Sequence, residues 1–128
     1  MSFFNLFGKK KEREPEKIIP WKVLNSIDQI AELEQKSQEK LMVVFKHSTR
    51  CATSRMALRA FENGFDFPEE KVEIYFLDLL SFRAVSDEVA HHFQVWHQSP
   101  QLILIKNGKT VHHSSHHQIS AAIIDRFI

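Results

Sequence analysis

The sequence predicts an α/β domain with a mixed central sheet flanked by helices, in the order β-α-β-α-β-α-β-β-α. Three observations predict it. Two continuous apolar runs, Leu41-Met42-Val43-Val44-Phe45 and Leu102-Ile103-Leu104-Ile105, read as strands buried on both faces. Segments with helical apolar spacing alternate with strand-like runs as far as Phe93, which implies right-handed parallel crossovers. Asn107-Gly108, just after the second long run, is the strongest hairpin signal in the chain, so the last strand returns antiparallel.

The elements follow in turn. Residues 1–20 read as a flexible charged tail, with Lys9 to Lys17 interrupted by Pro15 and closed by Pro20, and residues 21–128 as one domain. Phe3, Phe4, Leu6 and Phe7 ahead of Lys9-Lys10-Lys11 allow no more than weak association of this tail with a membrane surface. Trp21 to Leu24 is a short first strand. Ser26-Ile27-Asp28-Gln29 has the form of a capping box, and Ile27, Ile30, Ala31 and Leu33 carry helical spacing to about Gln38. After the strand at 41–46, Met56, Ala57, Ala60 and Phe61 mark a helix that ends near Asn63-Gly64. Val72 to Asp78 is a third strand. Val85, Val89 and Phe93, four apart, make an amphipathic helix from about Arg83. Beyond the hairpin, Lys109 to about His113 returns, and Ser120 to Phe127 closes the fold as a helix.

Composition narrows the function. The 128 residues carry 17 basic and 16 acidic side chains, a net charge of +1, which leaves no electrostatic footprint for nucleic acid. No apolar run approaches the roughly 20 residues of a membrane span. A single cysteine cannot form an internal disulfide, which argues for a reducing compartment, and the cytoplasm is the expected location.

That cysteine, Cys51, falls where a strand feeds the first turn of a helix. Unpaired amides and the helix dipole there favour a thiolate, and Arg50 and Arg55 add positive charge. The competing reading is a buried, inert cysteine. His47, Thr49, Arg50 and Ser54 are the candidates to stabilise a thiolate. Ser54 either donates a hydrogen bond to the sulfur or is a solvated first-turn serine. Ser48 and Thr49 either contact substrate backbone or cap the helix, with capping favoured for one of them. Asp78 and Arg83 either line the site or, for Asp78, end a strand. Trp21 and Trp96 read as packing residues. The cluster His112-His113-Ser114-Ser115-His116-His117 lacks the four-ligand spacing of a structural metal site, so no metal is expected.

The cysteine turn, and the stretch from Phe93 through Ser99-Pro100-Gln101 to Lys106-Asn107-Gly108-Lys109, resemble the thioredoxin fold over most of the chain from Trp21 onward. The resemblance implies a cis-proline, Pro100, facing Cys51, and a backbone contact from Ser99 to the incoming substrate. Ser54 stands where the second cysteine of Cys-x-x-Cys belongs, so a mixed disulfide cannot be resolved internally. Lys46-His47-Ser48-Thr49-Arg50-Cys51-Ala52-Thr53-Ser54 with Ser99-Pro100-Gln101 most resembles the YtxJ-type monothiol bacilliredoxins, which often carry Cys-Pro-x-Ser where Ala52 breaks the pattern here. That resemblance implies a monothiol thiol-disulfide oxidoreductase that removes bacillithiol, or a similar small thiol, from client proteins. Cys51 would be catalytic, Ser99 and Pro100 would bind substrate, the low-molecular-weight thiol would be co-substrate and no cofactor would be bound. The alternatives are a thioredoxin-fold binding or redox-sensing protein without turnover, and, ranked last, a glutaredoxin-like iron–sulfur carrier.

Overall fold

Every residue of the strand Leu41–His47 is buried, and the rest of the molecule is assembled around it. The computed structural model describes residues 17–128. Its elements are β1 (Trp21–Val23), α1 (Asp28–Lys36), β2 (Leu41–His47), α2 (Ala52–Gly64), β3 (Val72–Asp78), α3 (Arg83–His92), β4 (Gln101–Lys106) and β5 (Lys109–Ser115), followed by 3₁₀ segments at His116–Gln118 and Ala121–Phe127. The five strands lie in the order β1-β3-β2-β4-β5. β3 runs parallel to both β1 and β2, whereas β4 runs antiparallel to β2 and β5 to β4. Alternation along β2 sorts the core into two layers. Met42 and Val44 pack with Ile103, Ile105, Leu33 and Val89 on the α1–α3 face. Val43 and Phe45 pack with Leu102, Leu104, Phe61 and Ile124 on the α2 face. Each such fully buried side chain contributes roughly 1.5–3 kcal/mol by leaving water.

The local signals act as expected at three places. Gln29 Oε1 accepts from the Ser26 amide at 2.9 Å, and Ser26 Oγ accepts from the Asp28 amide at 3.2 Å, which closes the capping box ahead of α1. Asn107 and Gly108 adopt φ of 52° and 79°, the pair of positive values that a type I′ hairpin requires. Trp21 packs against Phe45, Phe61 and Phe76 while its indole N–H donates to Glu62 at 2.6 Å.

One expectation needs correction. The closing segment is not an α-helix but a 3₁₀ helix capped by Ser120 Oγ. Ala121, Ile124 and Phe127 recur every three residues, which matches three residues per turn and turns all three toward the sheet. Ahead of β1, the Lys17 ammonium donates to the carbonyls of Glu62 and Asn63 at 3.2 and 3.0 Å, at the C-terminal end of α2. The apolar patch at Phe3 to Phe7 and most of the charged run lie outside the described residues. Among the described residues no helix is long and apolar enough to cross a membrane.

Candidate functional site

β2 and β3 end, and β4 begins, at one edge of the sheet, and the sequence's candidate residues gather there. Residues 48–50 turn the chain out of β2, held by the Cys51 amide donating to the Ser48 carbonyl at 3.2 Å. Cys51 is the N-cap of α2, with φ −112° and ψ 121°, and its carbonyl accepts the first helical bond from Arg55 at 3.1 Å. The sulfur is free, and the residue is half-buried rather than sealed in the core. Among the described residues no side chain caps α2. The expected capping by Ser48 or Thr49 therefore fails: Cys51 itself takes the cap position, two residues beyond Thr49, and leaves the first-turn amides without a side-chain acceptor.

Thr49 and Arg50 are exposed on the turn. Thr49 offers its carbonyl to the Arg55 guanidinium at 3.3 Å, which folds Arg55 back over the loop. Ser54 is not a solvated first-turn serine. It is fully buried, accepts from the Ser48 amide at 3.0 Å and lies 2.8 Å from His47 Nδ1. A hydroxyl has one hydrogen and two lone pairs, so Ser54 splints the outgoing turn to the last residue of β2. His47 is buried as well, its ring 5.3 Å from that of Phe76. Burial above all holds its basicity below the usual value, opposed by Asp78, reinforced by Arg55 and again opposed by Glu62.

Asp78 ends β3, opposite His47 in the β2–β3 register. Its carboxylate accepts from the amides of Leu80 and Ser81 at 3.2 and 3.4 Å and from the Ser81 hydroxyl at 3.1 Å. On the β4 side, the Ser99–Pro100 peptide is cis and Pro100 is buried directly ahead of Gln101. Gln101 pairs with Lys46 in the β2–β4 ladder, which brings the proline loop to the same sheet edge as the cysteine turn. Gln101 also steadies that loop, donating to the Trp96 carbonyl at 2.9 Å. Ser99 is partly exposed, and its hydroxyl oxygen is buried without a partner among the described residues. No cluster of three or more potential metal ligands forms among those residues; His112 and His113 alternate along β5, half-buried and exposed.

Two residues that sequence reasoning passed over belong to this edge. Lys46 is fully buried, and its ammonium donates to the Ser86 carbonyl at 3.0 Å and to His97 Nδ1 at 3.2 Å. Alternation would have found it: Lys46 follows Met42 and Val44 on the face that packs against α3. Burial, partly offset by Asp87, pulls its amine down to about 8.

Solved structures similar to this one include thioredoxins. A thioredoxin-fold protein assigned as an oxidoreductase superposes with a TM-score of 0.70 at 29% identity, covering 84% of this chain and 92% of its own. Malassezia sympodialis thioredoxin gives 0.65 at 20% identity, with 91% and 93% covered. Fasciola hepatica thioredoxin gives 0.59 at 22%, with 81% and 92% covered. The fold and the cysteine turn thus define a redox protein of the thioredoxin-like class. Within that class the chain belongs to the monothiol bacilliredoxin family BrxC, whose profile matches residues 22–124.

Proposed function

We propose that this protein removes bacillithiol, or a closely similar small thiol, from mixed disulfides on client proteins, with Cys51 as the only nucleophile. The observation that carries the reading is a lone, half-buried cysteine at a helix N-terminus whose first-turn amides have no side-chain acceptor among the described residues. A thiolate is the acceptor those amides lack, and Arg50 and Arg55 stand on the same turn. In the first step the Cys51 thiolate attacks the small-thiol sulfur. A new S–S bond forms, the old one breaks, and the electron pair leaves on the client's sulfur as a thiolate. In the second step a free small-thiol thiolate attacks the adduct, which restores Cys51 and releases the symmetrical small-thiol disulfide. The external thiol is required because position 54 is serine. No metal or cofactor takes part.

Around the sulfur, Ser54 and His47 fix the geometry of the turn. Ser99 and Pro100 form the opposite wall, where the Ser99 backbone pairs with the client chain. A cytoplasmic setting belongs to this reading, since thiols stay reduced there.

Intact-mass spectrometry tests the reading. After exposure in parallel to oxidised bacillithiol and oxidised glutathione, the wild-type chain should gain one adduct, with bacillithiol preferred, and should restore a bacillithiol-blocked reporter protein. Cys51→Ser should gain no adduct and restore nothing. Restoration of the reporter by Cys51→Ser would end the proposal.

A further inference from the structure

A cavity of about 570 Å³ lies between α3 and the loop that leads to Pro100 and takes no part in the chemistry so far. Asp87, Ala90 and His91 of α3 form one wall, and Val95, Trp96 and His97 of the loop leading to Pro100 form the other. Trp96 is 89% exposed, so its indole is committed to no core and stands as a free apolar surface at this rim.

Lys46 lies behind His97. An ammonium has three hydrogens and no lone pair, so it can only donate. Two of its hydrogens go to the Ser86 carbonyl and to His97 Nδ1, both uncharged. Among the described residues no carboxylate lies within ion-pair distance of it. A buried cation without a counter-charge is expensive to keep, and here it fixes a tautomer. With Nδ1 occupied as an acceptor, a neutral His97 ring carries its proton on Nε2, at the edge remote from Lys46. Burial, then Lys46 and Arg83, hold His97 below its usual basicity, so it remains a neutral donor near pH 7. Asp87 opposes an anion here, but it is an exposed, well-solvated carboxylate set against two cations, one of them buried.

We propose that this cavity receives the small-thiol half of the mixed disulfide through one of its carboxylates. His97 Nε2–H is the hydrogen-bond donor, Trp96 the apolar wall, and Lys46 a positioning residue that acts through His97. The inference rests on the reading of Cys51 as the nucleophile for small-thiol adducts. Cys51 follows Lys46 by five positions, so their Cα atoms lie at most about 18 Å apart, and the turn at Ser48 shortens that span. A thiol of tripeptide size extends about 10 Å. The occupant is thus an acidic thiol, not a bare aminothiol.

The test uses one reporter protein blocked in turn with bacillithiol, glutathione and cysteamine, the last having no carboxylate. The wild-type chain should favour both acidic adducts over cysteamine in kcat/KM. His97→Ala and Lys46→Met should lower that preference by about tenfold, mainly through KM, the loss of one hydrogen bond to a charged group. His97→Gln, which restores a neutral N–H donor, should recover part of it. His97 is exposed, so its variants remain informative if Lys46→Met does not fold. Equal losses on acidic and cysteamine adducts would make the pair merely structural and overturn the proposal, as would a wild-type chain that does not discriminate. A wild-type chain that restores none of the three reporters refutes the chemistry at Cys51 and this subsite together.

Discussion

The two ends of the sheet both bury charge on the α1–α3 face, and they treat it in opposite ways. Where β2 and β3 begin, the buried Glu73 carboxylate meets Lys36 at 3.2 Å, Lys40 at 3.0 Å and the Tyr75 hydroxyl at 2.7 Å. Burial alone would raise this acid, but the hydrogen bonds from Tyr75, Lys40 and Lys36 outweigh it and hold Glu73 at about 2. Where the same strands end, Lys46 has a carbonyl and an imidazole for partners, and its amine falls to about 8. One end is electrostatically closed and the other is left open. A closed network serves the fold, because every charge in it is answered from within. An open one has binding capacity to spare, and it lies at the edge that holds Cys51 and the cis-proline.

That contrast assigns different consequences to mutations at the two ends. The largest effect should come from Cys51→Ser, which removes the proposed nucleophile: restoration of a bacillithiol-blocked reporter should fall to background. The melting temperature should stay within a few degrees, because the half-buried sulfur makes no cap bond. Glu73→Ala should do the reverse. Removing one member of a buried ion pair costs about 3–5 kcal/mol, reduced here to roughly 2–3 kcal/mol because Lys36 is about half exposed. Denaturant unfolding should report that loss while kcat/KM for the reporter stays near wild type. If Glu73→Ala instead lowered turnover without touching stability, the division of labour between the two ends would be wrong.

Ser54→Ala sharpens the comparison from inside the functional end. It leaves the Ser48 amide and His47 Nδ1 without a partner in a site closed to water. The expected cost is about 1–3 kcal/mol in chemical denaturation. Exchange should slow as well, since the turn that carries Cys51 is no longer tied to β2. A variant of full stability and full rate would show that the splint holds nothing.

What the sequence made legible follows from how local each signal is. The capping box at Ser26 and Gln29, the Asn107-Gly108 turn and the buried runs at 41–45 and 102–105 depend on neighbours a few residues away, and each appears where expected. The closing segment went astray because Ala121, Ile124 and Phe127 satisfy a three-residue repeat as well as a helical one, and only the sheet beneath them decides between the two. At the site, the position of Cys51 is local and could be read. The fate of Ser54 is not: its burial depends on His47, seven residues back on another element. Lys46 depends on contacts 40 and 51 residues away, to Ser86 and His97, and a lysine at the end of an apolar run gives no hint of them beyond its place in the alternation.

The most direct comparison of the two ends lies at opposite extremes of pH. Glu73 titrates near 4.5 when free and about 2 in the fold, so its stabilisation is complete above 4.5 and is lost as pH falls toward 2. Relative to Glu73→Gln, the wild-type chain should therefore surrender its advantage only in acid. Lys46 titrates near 10.5 when free and about 8 in the fold. Below 8 both states carry the proton and the fold bears the whole penalty of a buried ammonium. Between 8 and 10.5 the unfolded chain binds more protons than the folded one, so stability rises with pH. Relative to Lys46→Met, the wild-type chain should gain over that alkaline interval and show no such trend in acid. Unfolding free energies from urea titrations at pH 3, 5, 7 and 9.5 measure both slopes on the same three proteins. Parallel curves for wild type and Lys46→Met between pH 7 and 9.5 would mean that the buried amine is already answered by a counter-charge, and the functional end would then be as closed as the other.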